Sequence, residues 1–185
     1  MTTPITSPLI NLNHANQVCA NTIAEFYQLD QLKNIIATTL DDMLTRVKNG
    51  LTLPYFAHVH QADFDKKIEL DIYITNPTEG KQLNHEARGK DYATNILSYP
   101  SDLPAEMLTV LPSIPLGELV ICHEVVVRQA NEQGKTIADH LTHLLVHGTL
   151  HLLGFDHELG EDERIEMEGF EIDILTKLNI ANPYD

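Results

Sequence analysis

At 185 residues the chain has the length of one domain with a sizeable core, and no run approaches the ~20 apolar residues of a membrane span. Its 12 basic and 27 acidic residues give a formal net charge of −15, a balance that repels polyanions and predicts weak non-specific nucleic-acid binding. The start, MTTPITSPLINLNHAN, lacks a basic patch followed by an apolar block, so it reads poorly as a secretory signal. Cys19 and Cys122 are the only cysteines, and Cys122 sits in the apolar run LGELVIC as a buried small side chain. Without a disulfide framework, a reducing cytoplasm is the expected compartment.

In chain order, residues 9–13 (LINLN) read as a first strand. From Asp30, a helix N-cap, Ile35, Ile36, Leu40, Met43, Leu44 and Val47 recur at helical spacing until Gly50. Residues 51–66 read as irregular connection. In KIELDIYIT, Ile68, Leu70, Ile72 and Ile74 alternate with Glu69, Asp71 and Tyr73, the pattern of a half-buried strand. Asn76-Pro77 ends that strand and opens a short helix to about Ala87. NILSY reads as another strand. Residues 100–116 contain Pro100, Pro104, Pro112 and Pro115 and read as a flexible loop, a lid beside the site. LGELVIC is a buried strand, followed by a helix ending near Gly134. Thr136 caps the next helix, which runs through His151 to about Leu153. The last helix spans about 161–178, with Ile165, Met167, Phe170, Ile174, Leu175 and Leu178 as its apolar side. Strands and helices without strict alternation predict an α+β fold. The expected architecture is one domain over 1–185, with a mixed sheet of about four strands packed by about five helices.

The chemistry concentrates in HGTLHLLGFDH. A helix brings residues four apart onto one face, so His147 and His151 can hold a single ion. Gly154 permits the left-handed turn that stops a helix, and the chain can then offer His157 as a third nitrogen. The spacing H-x3-H-x2-G-x2-H is that of the metzincin zinc site, except that Gly148 stands where those proteases carry their general base. Three neutral histidines leave a fourth zinc position open, the catalytic rather than the structural arrangement. His140, His143, His147 and His151 line one stripe, so His140 and His143 can shape the surroundings of the ligands or face a substrate. Asp156 is a further candidate to orient a ligand or a water, and Glu158 a weaker one. The stretch 156–173, dense in acids against the single base Arg164, reads as a solvated helix face.

HGTLHLLGFDH, together with LGELVIC, the upstream H-x-x-H, DERIEMEGFE and LNHEARGKDYATNILSYP, resembles the YbeY family of bacterial endoribonucleases. The resemblance covers roughly residues 68–180, with several motifs in the family's order, while residues 1–67 contribute little. Ala93 stands where a proline is common, Tyr99 replaces a Phe and Phe155 replaces a Tyr; the histidines and Arg88 are kept. The resemblance implies a single-strand-specific RNA hydrolase linked to maturation of the 3′ end of 16S rRNA and to ribosome quality control. It implies His147, His151 and His157 as ligands of one Zn2+ per chain and Arg88 as the functional arginine. The implied partners are single-stranded rRNA and the ribosome or its proteins, with neither membrane nor DNA.

The residues support that chemistry independently. Zinc can lower the pKa of a bound water towards ~7 and polarise a phosphoryl oxygen. A guanidinium is shaped to hold the oxygens on which charge builds during phosphodiester hydrolysis, the role open to Arg88. Lys90 can assist as a point charge, and Asn95 and Ser98 can hold phosphate or sugar hydroxyls. The acidity of the chain then predicts a small basic mouth at Lys81, Arg88 and Lys90, with the acidic last helix facing away. Two rivals are a metzincin-like zinc protease, against which Gly148 argues, and a non-enzymatic metal-binding ribosome-assembly factor.

Overall fold

Strict alternation in KIELDIYIT produces the strand around which the molecule is organised. In the computed structural model, which describes residues 6–59, 64 and 67–185, this strand pairs on both sides. β1 (Leu9–His14), β2 (Lys67–Thr75), β3 (Ile96–Pro100) and β4 (Ser113–Cys122) form one sheet in the order β1-β2-β4-β3. β1 and β4 flank β2 in parallel, and β3 runs antiparallel to β4 at the edge. The mixed four-stranded sheet is the one expected. Ile68, Leu70, Ile72 and Ile74 are all buried on one face. On the other, Tyr73 donates a 3.1 Å hydrogen bond to Glu79.

Seven α-helices are found among the described residues: α1 (Ala20–Phe26), α2 (Leu29–Lys48), α3 (Pro77–Arg88), α4 (Ala105–Val110), α5 (His123–Glu132), α6 (Ile137–Leu153) and α7 (Glu161–Lys177). Five of them correspond to the expected helices; α1 and α4 are additional and short. The residues of α1 include none that is buried, so it lacks the apolar stripe by which a helix is recognised. α4 corrects the reading of 100–116 as a loop: Pro104 caps a helical turn and a half, and residues from Ser113 already belong to β4. Pro115 is accommodated in the strand because the register slips there, Glu69 pairing with Pro115 and Leu70 with Gly117. A residue without an N–H is tolerated at such a bulge.

Two further expectations need correction. Gln28, not Asp30, caps α2, and Asp30 lies in the first turn, where a carboxylate favours the helix dipole. Ile165 is 56% exposed, so the buried side of α7 is Met167, Phe170, Glu171, Ile174 and Leu175. The acidic Asp173 on this helix is tied to α2 by Arg46, which donates to Asp42 at 2.6 Å and to Asp173 at 2.7 Å while lying over the Phe170 ring.

α6 is the central helix. Leu145, Val146, Leu150, Leu152 and Leu153 are almost fully buried, and the helix packs against β3, β4, α2, α5 and α7. It is therefore a rigid support for anything it displays. Among the described residues no helix is long and apolar enough to cross a membrane.

Candidate metal centre

α6 begins where Thr136 Oγ1 accepts from the Asp139 N–H at 3.0 Å, the cap read from the sequence. Three and four turns later the same helix presents His147 and His151, whose Nε2 atoms lie 3.1 Å apart. Gly154 then ends the helix at φ 101°, and its N–H returns to the carbonyls of Leu150 and His151. A Cβ at Gly154 would sit 2.7 Å from the Tyr55 nitrogen and 2.9 Å from the Pro54 side chain. The turn after α6 is thus seated on the 3-10 turn Pro54–Phe56. Part of the connection at 51–66 therefore supports the site; residues 60–63, 65 and 66 lie outside the described residues.

The reversal brings the His157 ring to 5.1 Å from His147 and 5.3 Å from His151. One nitrogen from each of the three rings lies within 4.8 Å of the other two. Nitrogens bound tetrahedrally to zinc at ~2.0–2.1 Å are about 3.3 Å apart, close to the separation of the His147 and His151 pair. Burial, reinforced by His147 and His157, lowers the His151 pKa to about 4, so its ring stays neutral and retains a lone pair. Three imidazoles converging in this way fit a zinc ion.

Glu171 is the residue that sequence reasoning missed. It lies in the acidic stretch expected to be solvated and to face away, yet it is 1% exposed. His147 Nδ1 is 2.8 Å from its Oε1, and His143 Nε2 is 2.7 Å from its Oε2. The Tyr184 hydroxyl also donates to Oε2. Burial pushes the Glu171 carboxyl up, but the hydrogen bonds from His143 and His147 outweigh it and hold the pKa at about 2. An ionised carboxylate only accepts, so His147 Nδ1 carries the proton of this bond, which leaves Nε2 as the nitrogen that could bind an ion. His143, His147 and Glu171 could also gather a cation. Their separations are those of hydrogen bonds, however, and His147 enters through the nitrogen turned away from His151. Glu171 therefore stands as the acceptor behind a histidine that could hold an ion through its other nitrogen. Its sequence signal was its place four residues after Met167 and three before Ile174, on the apolar side of α7.

The other candidates are distributed around this centre. His140 Nε2 meets Gln129 Oε1 at 3.2 Å, and Asn95 Nδ2 donates to the same oxygen at 2.9 Å. Asn95, Gln129, His143, His147, Glu171 and Tyr184 lie along a pocket of about 640 Å³. Asp156 Oδ1 accepts from the Glu158 N–H at 2.9 Å and so shapes the turn that carries His157. Ser98 Oγ donates to the Gly148 carbonyl at 3.4 Å, joining β3 to α6. Arg88, the last residue of α3, is 47% exposed and lies 3.7 Å from Glu158. Its charge helps lower the His151 pKa, after burial and the neighbouring histidines. Lys90 is exposed just beyond it, whereas Lys81 pairs with Asp91 at 3.2 Å.

Gly148 has a packing role. A Cβ there would come within 2.8 Å of both Ile96 and Leu119. The position that holds the base in metzincins here faces the sheet, where a carboxylate has no room.

A family model described as Endoribonuclease YbeY matches residues 26–179. The chain belongs to the YbeY endoribonuclease family. The protein named Endoribonuclease YbeY in Psychrobacter cryohalolentis is 58% identical over 153 residues, 82% of this chain and 99% of its own. That of Psychrobacter arcticus is 64% identical over 140 residues, 75% of this chain and 68% of its own. That of Acinetobacter baumannii is 49% identical over 154 residues, 83% of this chain and 85% of its own. The YbeY match takes in the three histidines, Arg88 and Glu171 and ends before Tyr184.

Proposed function

We propose that the chain is a zinc-dependent endoribonuclease that cleaves single-stranded RNA. The observation that carries this reading is the convergence of His147, His151 and His157, with Glu171 fixing the tautomer of the first. His147, His151 and His157 would hold one Zn2+, which would supply a Lewis acid and lower the pKa of a water.

The chain's own groups provide the rest. Arg88 lies within electrostatic reach of His151 and is held by a solvent-exposed ion pair with Glu158. Such a pair is weak, so an arriving phosphate can take the guanidinium from Glu158. Bidentate contact to the non-bridging oxygens then neutralises the charge that grows in the transition state. Lys90 adds a nearby positive charge. The pocket beside His143 and His147 has the size of an ordinary ligand site, roughly 300–1,000 Å³, and Asn95 and Gln129 offer amides to a nucleotide. With a net charge of −15, the basic surface is local, which favours a threaded single strand over a rigid duplex.

The role we propose for it is in 16S rRNA 3′-end maturation and ribosome quality control in the cytoplasm. The acidic exposed face of α7 suits a basic ribosomal protein. The test is purified protein on single-stranded RNA, duplex RNA and casein, with and without EDTA. Cleavage of the single strand alone, lost with EDTA and restored by zinc, is the expected result. Full activity in the metal-free protein, or cleavage of casein, would contradict the proposal.

A further inference from the structure

The segment after α7 has no part in the three-histidine set, yet it closes one side of the pocket. Asn179 adopts φ 60°, and the Ile180 N–H returns to the Leu175 carbonyl at 2.9 Å, so the chain reverses at the end of α7. Two contacts then fix its path. Lys135 Nζ, from the connection between α5 and α6, donates to the Pro183 carbonyl at 3.1 Å. Asn182 Oδ1 accepts from the Tyr184 N–H at 3.1 Å, a local turn that sets the direction of the tyrosine. Tyr184 consequently stands edge-on to His143 with ring centroids 5.8 Å apart, and its hydroxyl donates to Glu171 Oε2. That same oxygen accepts from His143, while the other accepts from His147.

Resting on the metal reading above, we propose that Tyr184 is a positioning residue for the metal centre. Its hydroxyl holds the Glu171 carboxylate in the one orientation that keeps His147 Nε2 turned towards His151 and His157. The Tyr184 hydroxyl adds a third contact to the two from His143 and His147. A carboxylate on a long side chain, with one hydrogen bond to each oxygen, can still rock about the line between its donors. A donor from a third direction removes that freedom. Partners beyond a ligand histidine affect metal affinity by roughly 10–100-fold when removed; Tyr184 is one contact further out, and its effect is expected at about the lower end of that range or just below it. The ring has a separate part, since it also lines the pocket.

Tyr184→Phe separates the two parts because it keeps the ring and removes the hydroxyl. The experiment measures zinc affinity against a chelating dye, the visible absorption of the cobalt-substituted protein, and steady-state RNA cleavage. Tyr184→Phe is expected to bind zinc roughly 3–10-fold more weakly, to shift the cobalt spectrum as Glu171→Gln does, and to lose kcat with KM unchanged. Tyr184→Ala is expected to raise KM as well. A Tyr184→Phe protein with wild-type zinc affinity and an unaltered cobalt spectrum would overturn the inference while leaving the three-histidine site intact. Wild-type protein that takes up no cobalt would overturn the metal reading and this inference together.

Discussion

His147 and Glu171 meet at 2.8 Å across 24 positions of sequence, joining the central helix to the last one at the candidate metal centre. The contact gives α7 a role beyond packing, because the carboxylate occupies one nitrogen of His147 and leaves the other facing His151.

Removing that carboxylate should therefore weaken both fold and site. In Glu171→Ala, the N–H groups of the partly buried His143 and His147 lose their acceptor. Each such loss costs about 1–3 kcal/mol. Thermal unfolding of the chelated protein should show a clearly lowered melting temperature, and zinc titration a loss of affinity of roughly 10–100-fold. Unchanged zinc affinity would show that Glu171 does not act on His147.

Gly148→Glu should neither create a protease nor merely slow RNA cleavage. The substituted side chain must enter the interface between α6 and the sheet, against Ile96 and Leu119. Overpacking alone costs about 1–3 kcal/mol, and an unpaired buried charge adds to it. A melting temperature lowered by several degrees or more, or insoluble protein, is the expected outcome. Gly148→Ala should be milder because the atoms it meets are the ends of flexible side chains. A stable Gly148→Glu protein that cleaves casein would revive the protease reading.

How much of this was legible in the sequence follows from how local each feature is. His147, His151 and His157 could be grouped because helical spacing and one glycine turn bring them together within eleven residues of chain. β2 and α6 were equally plain, since alternation and a Thr136 cap are properties of the segment itself. Glu171 was not, because charge density suggested a solvated face and only the packing of α7 on α6 buries this one acid. Tyr184 was hidden for a related reason: its position depends on a chain reversal and on Lys135, far away in sequence. The prolines of 100–116 suggested a loop, whereas the sheet accepts Pro115 at a bulge that no local pattern announces.

Arg88→Ala should separate turnover from folding. The side chain is half exposed and its ion pair with Glu158, at 3.7 Å, contributes little to stability. The variant should keep its zinc and its melting temperature and lose about 10²–10³-fold in cleavage, the usual effect of removing a group that stabilises transition-state charge. Wild-type turnover would remove Arg88 from the mechanism.

Acid should destabilise the metal-free protein in part through His140. Burial, helped by His143 and Lys135, lowers its pKa from 6.5 to about 4. The unfolded chain then takes up the proton first as pH falls. The stability due to the neutral, buried ring is present above pH 6.5 and declines as pH falls from 6.5 towards 4. In denaturant melts across that window, His140→Gln should flatten the pH dependence. An unchanged slope would show that His140 is not buried in its neutral form.

The most direct test of the central claim is the zinc content of purified wild-type and His151→Ala proteins, measured alongside their thermal unfolding. His151 shares the 3.1 Å approach with His147, so the pair cannot chelate once it is replaced. About one zinc per wild-type chain, and a large loss of zinc from a variant that remains folded, is the result this geometry predicts. Wild-type zinc occupancy in folded His151→Ala protein would contradict it.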